Sequence, residues 1–176
     1  QPNSFYRPIT FISLWFDYTL LKSHLWAYHL QNLFIHFLNS FVVLKLGSEL
    51  GLGNRVSRWA ALIFSVAAIN FEAVLWPAAR FDLLATLFTL LATFFFLRYQ
   101  KRHSLSYLLL SLACFVLGVL NKESAYCFPL IAALLASRFV GSRTSHLSRR
   151  KQVYAILSVA LVGAALVGLR LAMGLG

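Results

Sequence analysis

The 176 residues are 60% hydrophobic and 12% charged, with a mean hydropathy of +0.73 and a net charge of +11. Soluble domains carry about twice that share of charge, so the composition excludes an ordinary water-soluble fold and points to an all-α, polytopic transmembrane helical bundle. The positive charge does not imply a nucleic-acid partner, because the basic residues are divided among the gaps between apolar blocks instead of forming one face.

The first apolar stretch, Ile9 to Leu21, is bounded by Arg7 and Lys22. It is shorter than the roughly 20 residues a helix needs to span a bilayer. Its Phe11, Trp15, Phe16 and Tyr18 suit the headgroup layer, so it is expected to lie as an interfacial helix. Six spans follow, at about 26–48, 57–76, 80–98, 104–121, 124–140 and 152–172. The whole chain reads as one transmembrane domain. It divides into an outer loop and interfacial helix (1–25), core spans (26–140), a basic loop (141–151) and a last span (152–176). It starts at Gln1 without a methionine and stops directly after a span. The expectation is therefore a piece of a longer polytopic protein.

The span from Trp26 carries His29, Asn32, His36 and Asn39, within an arc of roughly 80° at 100° per residue. Such a stripe faces protein or a watery cavity, not lipid. Interhelical hydrogen bonding and the lining of a functional cavity both account for it. Next comes Glu72, near the outer end of its span, where a salt bridge to Arg80 across the turn would close the hairpin. The span from Arg80 bears Asp82, Thr86, Thr89 and Thr93, within roughly 60° of one another. Asp82 either caps that helix, where the dipole favours a carboxylate, or belongs to a site. Lys122 and Glu123 mark a tight turn, and Glu123 has a capping alternative of its own. Cys114 and Cys127 lie inside spans, with no disulfide or metal spacing.

Loop charge assigns the sides. Lys45, Arg55, Arg58, Arg98, Lys101, Arg102, Arg138, Arg143, Arg149, Arg150 and Lys151 fall on one side, and Arg7, Lys22, Arg80, Lys122 and Arg170 on the other. This is the asymmetry of the positive-inside rule, which places the richer set in the cytoplasm. Of the five acids, Asp17, Glu72, Asp82 and Glu123 then share the outer face, and only Glu49 is cytoplasmic. With Arg7, Arg80, Lys122, His24 and His29 they make a candidate polar site. Carboxylates there can act as bases or metal ligands, and Arg and Lys can hold a phosphate.

Five strings carry a family resemblance. They are Phe5-Tyr6-Arg7-Pro8-Ile9-Thr10; Tyr28-His29-Leu30-Gln31-Asn32-Leu33 with His36; Asn70-Phe71-Glu72-Ala73-Val74; Ala79-Arg80-Phe81-Asp82-Leu83-Leu84; and Asn121-Lys122-Glu123-Ser124. In order and spacing they resemble the polytopic glycosyltransferases of the GT-C class, and among them the protein O-mannosyltransferase-like group, which includes membrane proteins with tetratricopeptide repeats and bacterial relatives. The resemblance covers about Phe5 to Pro129.

It implies transfer of a sugar from a polyprenyl-phosphate carrier to an extracytoplasmic acceptor such as protein, lipid or glycan. It further implies Asp82 and Glu72 as catalytic carboxylates, and Arg80, Arg7, Lys122, Glu123, His29 and Asn32 as donor- or phosphate-binding groups. The cofactor is left open, a divalent metal ion being one candidate. Two departures stand out. The family's acidic catalytic pair has no counterpart in this chain and is expected upstream of Gln1. The family's His-Pro before the glutamate is replaced by Ala68-Ile69-Asn70. The expected location is an integral membrane protein of the bacterial inner membrane, with its site on the extracytoplasmic face. The competing readings are a transporter or flippase-like protein for a lipid-linked anion, and a non-catalytic membrane scaffold. Charges gathered at one surface, with no internal repeat, favour the enzyme.

Overall fold

The computed structural model describes residues 7–21, 24–139 and 149–172. Lys22, Phe5, Tyr6 and Arg143 lie outside the described residues. Within them the protein is all-α, with no strand. Helix α1 is Pro8–Leu21, α2 Leu25–Glu49, α3 Gly53–Val66, α4 Phe71–Leu75, α5 Arg80–Arg102, α6 Leu105–Val119, α7 Phe128–Phe139 and α8 Arg149–Ala172. Single 3₁₀ turns at Ala68–Asn70, Pro77–Ala79 and Glu123–Cys127 join α3 to α4, α4 to α5 and α6 to α7.

By length and composition two segments can cross a membrane, Pro77–Arg102 and Arg150–Ala172. A third is added if Gly53–Val66 and Ala68–Leu75, bent by 48°, form one span. The expectation of six spans is thus met only loosely. Helix α2 is long enough at 25 residues, but its polar stripe dilutes its hydropathy. Helices α6 and α7 have 15 and 12 residues.

Helix α5 is the axis of the bundle, packed against α6 on one side and α2 on the other. Phe96 of α5, Phe115 of α6 and Phe128 of α7 are all fully buried. The Phe128 ring lies 6.2 Å from Phe96, edge on, and 5.2 Å from Phe115. Ser111 donates to the Ala92 carbonyl at 2.8 Å, fastening α6 to α5. Dispersion and interhelical hydrogen bonds of this kind drive helix association where water is absent.

The α2–α3 turn is made by Gly51 and Gly53, at φ +75° and +77°, where a side chain would be strained. Just before it, Gly47 meets Ser57 of α3. A Cβ on Gly47 would stand 2.6 Å from the Ser57 hydroxyl, so the two helices cross at a distance only glycine permits.

The stretch from Val66 to Arg80 departs from the single expected span. No proline explains its break at Ala67. Instead, side chains satisfy the carbonyls that the break frees. His36 Nε2 donates to Ser65 O at 3.0 Å, Asn70 to Phe64 O at 2.8 Å, and Asn32 to Trp76 O at 3.2 Å. Broken backbone at membrane depth persists only where protein or a polar cavity meets its polar groups. The α2 stripe does this, and it thereby opens a cleft.

Helix α1 forms where an interfacial helix is expected. Thr10, Ser13 and Asp17 share one face, as their spacing requires. Thr10 donates to Asn121 Oδ1 at 3.0 Å, and the other two reach Arg80. Phe11, Ile12, Trp15, Phe16 and Tyr18 are exposed.

Candidate active site

A cleft of about 530 Å³ opens at the end of the bundle that holds the α4 break and the Lys122 turn. Its charged lining is Arg7, Glu72, Asp82 and Lys122, with His36, Asn39, Asn70 and Thr86 as polar neighbours and Phe81 and Trp76 as aromatic walls. Each charged residue comes from a different part of the chain: the start of α1, α4, the first turn of α5 and the α6–α7 turn.

Phe81 organises the cations. The Arg7 guanidinium lies 3.9 Å above its ring centroid and Lys122 Nζ 5.1 Å from the same centroid. An aromatic face attracts a cation without neutralising it. Lys122 also pairs with Asp82, so Asp82 acts across the cleft mouth as well as at the head of α5. Glu72 is exposed and has no ion-pair partner among the described residues. The salt bridge expected between it and Arg80 does not form.

Two residues of the α2 stripe, His36 and Asn39, line this cleft. His36 donates through Nε2, which leaves Nδ1 as an acceptor. Nδ1 and Asn39 Oδ1 are both buried and without a hydrogen-bond partner among the described residues, while Asn39 Nδ2 donates to Leu83 O at 3.1 Å. The cleft thus combines two cations with several acceptors, among them Glu72, Asp82, His36 Nδ1 and Asn39 Oδ1. Cations suit a phosphate, and acceptors suit the hydroxyls of a sugar.

Four expected site residues lie elsewhere. Arg80 is fully buried behind the cleft wall, paired with Asp17, donating from Nε to Asn32 Oδ1 at 3.0 Å and from Nη1 to Ser13 Oγ at 3.1 Å. Asn32 is consumed by Arg80 and the Trp76 carbonyl. His29 is exposed on α2, outside the cleft lining. Glu123 sits beside the cleft, paired with Arg170 of α8, with Arg7 at 3.9 Å. Burial pushes the Glu123 carboxyl up. The Arg170 hydrogen bond, its own backbone N–H and the charges of Arg170 and Arg7 outweigh that, so its pKa lies below the ordinary value.

Sequence reasoning placed Asp17 among the outer-face acids, Asn39 in the α2 stripe and Arg170 on the outer side, but it did not bring Asp17 to Arg80 or Arg170 to Glu123. The i, i+7 relation of Thr10 and Asp17 was the available signal for the first. Among the described residues no three His, Cys, Asp or Glu side chains converge as a metal site would need.

The opposite end of the bundle carries Glu49, bonded to Arg98 Nε at 2.9 Å and to Lys101 Nζ at 3.1 Å. Asp17, Asp82 and Glu123 pair at the cleft end and Glu49 here, as the loop charges predict.

The chain is 36% identical over 96 residues to human protein O-mannosyl-transferase TMTC3, covering 54% of this chain and 10% of that protein. The mouse counterpart is 38% identical over the same length. Protein O-mannosyl-transferase F38B6.6 of Caenorhabditis elegans is 30% identical over 122 residues, covering 67% of this chain and 17% of that protein. The chain therefore spans a small part of these relatives. All three are animal proteins and lend nothing to the expectation of a bacterial membrane. No solved structure matches. The sequence profile of the dolichyl-phosphate-mannose-protein mannosyltransferase family matches residues 2–168, nearly the whole chain. With its apolar helices, the protein is an integral membrane protein, and it belongs to the dolichyl-phosphate-mannose-protein mannosyltransferase family.

Proposed function

We propose that this bundle end binds the sugar-phosphate head of a polyprenyl-phosphate-linked mannose and supports its transfer to an acceptor on the extracytoplasmic face. The observation that carries the reading is the cleft itself. It sets Arg7 and Lys122 over one aromatic ring and holds a set of hydrogen-bond acceptors in the same lining.

In the reaction the acceptor oxygen forms a bond to the anomeric carbon. The bond from that carbon to the phosphate oxygen breaks, and its electron pair leaves on the phosphate. The acceptor proton passes to a carboxylate. Arg7 and Lys122 offset the charge that grows on the departing phosphate, the largest contribution a preorganised site can make. Asp82 holds the Lys122 ammonium in place. Glu72, the cleft carboxylate with no ionic partner among the described residues, accepts a sugar hydroxyl or the proton. His36 Nδ1 and Asn39 Oδ1 accept from further hydroxyls. Arg80 is a positioning residue, since it fixes α1 and the Asn32 amide without lining the cleft.

The test is mannosyl transfer by the full-length protein in proteoliposomes. Lys122→Ala and Glu72→Gln are each expected to lower kcat by about 100-fold, the size of one charge-stabilising or proton-transfer contribution, with the melting transition retained. Unchanged transfer in both variants overturns the reading.

A further inference from the structure

We infer that the cytoplasmic end of α2 and α3 is a binding site for an anionic phospholipid, with its headgroup on Lys45, Arg55 and Arg58 and an acyl chain in the groove between the two helices. This site is separate from the cleft and does not depend on its function.

Charge accounting points to it. The chain has five acids and sixteen Lys and Arg. Arg7, Arg80, Arg98, Lys101, Lys122 and Arg170 take up every carboxylate except Glu72. Lys45, Arg55 and Arg58 have no carboxylate partner among the described residues and are exposed. They are not spread evenly around the bundle end. Lys45, Ser48, Asn54 and Arg58 line one depression of about 260 Å³. Arg55, Arg58, Trp59 and Leu62 line the next, of about 460 Å³. Arg58 is common to both. Its Nε donates to Asn54 O at 3.1 Å, which holds the guanidinium between them. Lys45 Nζ rests 5.0 Å from the Phe41 ring centroid, its ammonium held by the ring and still free to meet an anion.

The apolar part adjoins directly. A groove of about 380 Å³ runs between α2 and α3, with Phe37, Phe41 and Leu62 on its exposed walls. Leu44 belongs both to this groove and to the first basic depression, and Leu62 to the groove and the second. A ligand that follows the surface passes from three cations to hydrocarbon within one helix turn. That sequence of surfaces matches a lipid with an anionic phosphate head and a chain. Trp59, 56% exposed beside Arg58, is a residue type that settles at the headgroup level. The positive-inside rule places this end on the leaflet where anionic lipids attract basic residues, each worth about fivefold in affinity. The head and groove fit one another better than either fits a free anion or a bare hydrocarbon chain.

The test uses the intrinsic probe at the site. In the full-length protein with Trp15, Trp26 and Trp76 changed to Phe, and any tryptophan outside this chain likewise, Trp59 fluorescence is quenched by brominated lipid in vesicles. Brominated phosphatidylglycerol is expected to bind at least fivefold more tightly than brominated phosphatidylcholine. Lys45→Gln, Arg55→Gln and Arg58→Gln together should remove that preference, while Arg102→Gln with Lys151→Gln, at the same end but outside the groove, should keep it. Equal quenching by the two lipids overturns the inference. So does a preference that survives the triple substitution, or displacement of the lipid by millimolar glycerol phosphate, which would make this a free-anion site. If the tryptophan variants do not fold, the same ratio is read by native mass spectrometry of lipids retained on the wild type and on the triple variant.

Discussion

Arg80 and Asp17 form an ion pair whose side chains are 1% and 4% exposed, joining α5 to a helix that lies 63 residues earlier in the chain. A buried guanidinium left alone is far more costly than the pair is favourable. Asp17→Ala is therefore expected to destabilise the folded bundle by about 3 to 5 kcal/mol. Asp17→Leu with Arg80→Met should recover most of that loss. Denaturant titration in mixed micelles distinguishes the two. If the double variant also regains transfer, Arg80 acts by position; if it is stable and inactive, the guanidinium itself reaches substrate.

Phe81 is the shared shelf for Arg7 and Lys122. Phe81→Leu keeps the bulk and removes the ring quadrupole, which is worth about 0.5–2 kcal/mol per cation. The expected result is a rise in the KM for the lipid-linked donor of about threefold to tenfold, steeper at high salt, with kcat nearly kept. A pure kcat loss would mean that the ring contacts the reacting sugar instead.

The Gly47–Ser57 crossing predicts a contrast between two glycines. Gly47→Ala places a Cβ against the Ser57 side chain and backbone, with contacts of 2.6 to 3.0 Å, and should cost about 1–3 kcal/mol as overpacking does. Gly168→Ala, with nothing among the described residues within 4 Å of its Cβ, should be neutral or stabilising by up to about 1 kcal/mol through helix propensity. Ser57→Gly in the Gly47→Ala background should relieve part of the first loss. Thermal melting of the three variants side by side is the measurement.

Much of this arrangement was legible in the sequence, and the misses share a cause. Periodicity placed α1, α2, α5 and α8, and the Lys122 turn stood out as polar residues between apolar blocks. The loop charges grouped Arg7, Glu72, Asp82 and Lys122, and the cleft holds all four. What failed were pairings through space. Arg80 was matched to Glu72 because the two are eight residues apart, but its partner comes from α1. The break at Ala67 was invisible because its cause lies in α2, whose Asn32 and His36 accept no other description until the carbonyls of Trp76 and Ser65 are placed beside them.

At the bundle end opposite the cleft Glu49 supplies a pH signature. Burial raises its pKa, but hydrogen bonds from Arg98 and Lys101, with the charges of both, outweigh that and leave it below the ordinary carboxylate value. A carboxyl lowered in the folded state contributes stability that is complete above its unfolded pKa. That contribution is lost as pH falls through the folded value. The melting temperature in detergent should hold from about pH 7 to pH 5 and then fall. Glu49→Gln should remove part of the fall and lower the plateau. A variant with the same acid limb as wild type would assign the fall to the other carboxylates.

The Asn32 amide has a consequence in time as well as in space. A chain emerging from the ribosome inserts α2 before α5, when the bonding partners of Asn32 are not yet made. Its partners, the Trp76 carbonyl and Arg80, follow 44 and 48 residues later. Until they arrive α2 carries unmet polar groups, and when α5 arrives Arg80 needs Asp17 already docked nearby. The helices are thus not independent insertion units. Asn32 of α2 and Asp17 of α1 are therefore expected to wait for the stretch from Trp76 to Arg80 that pairs them.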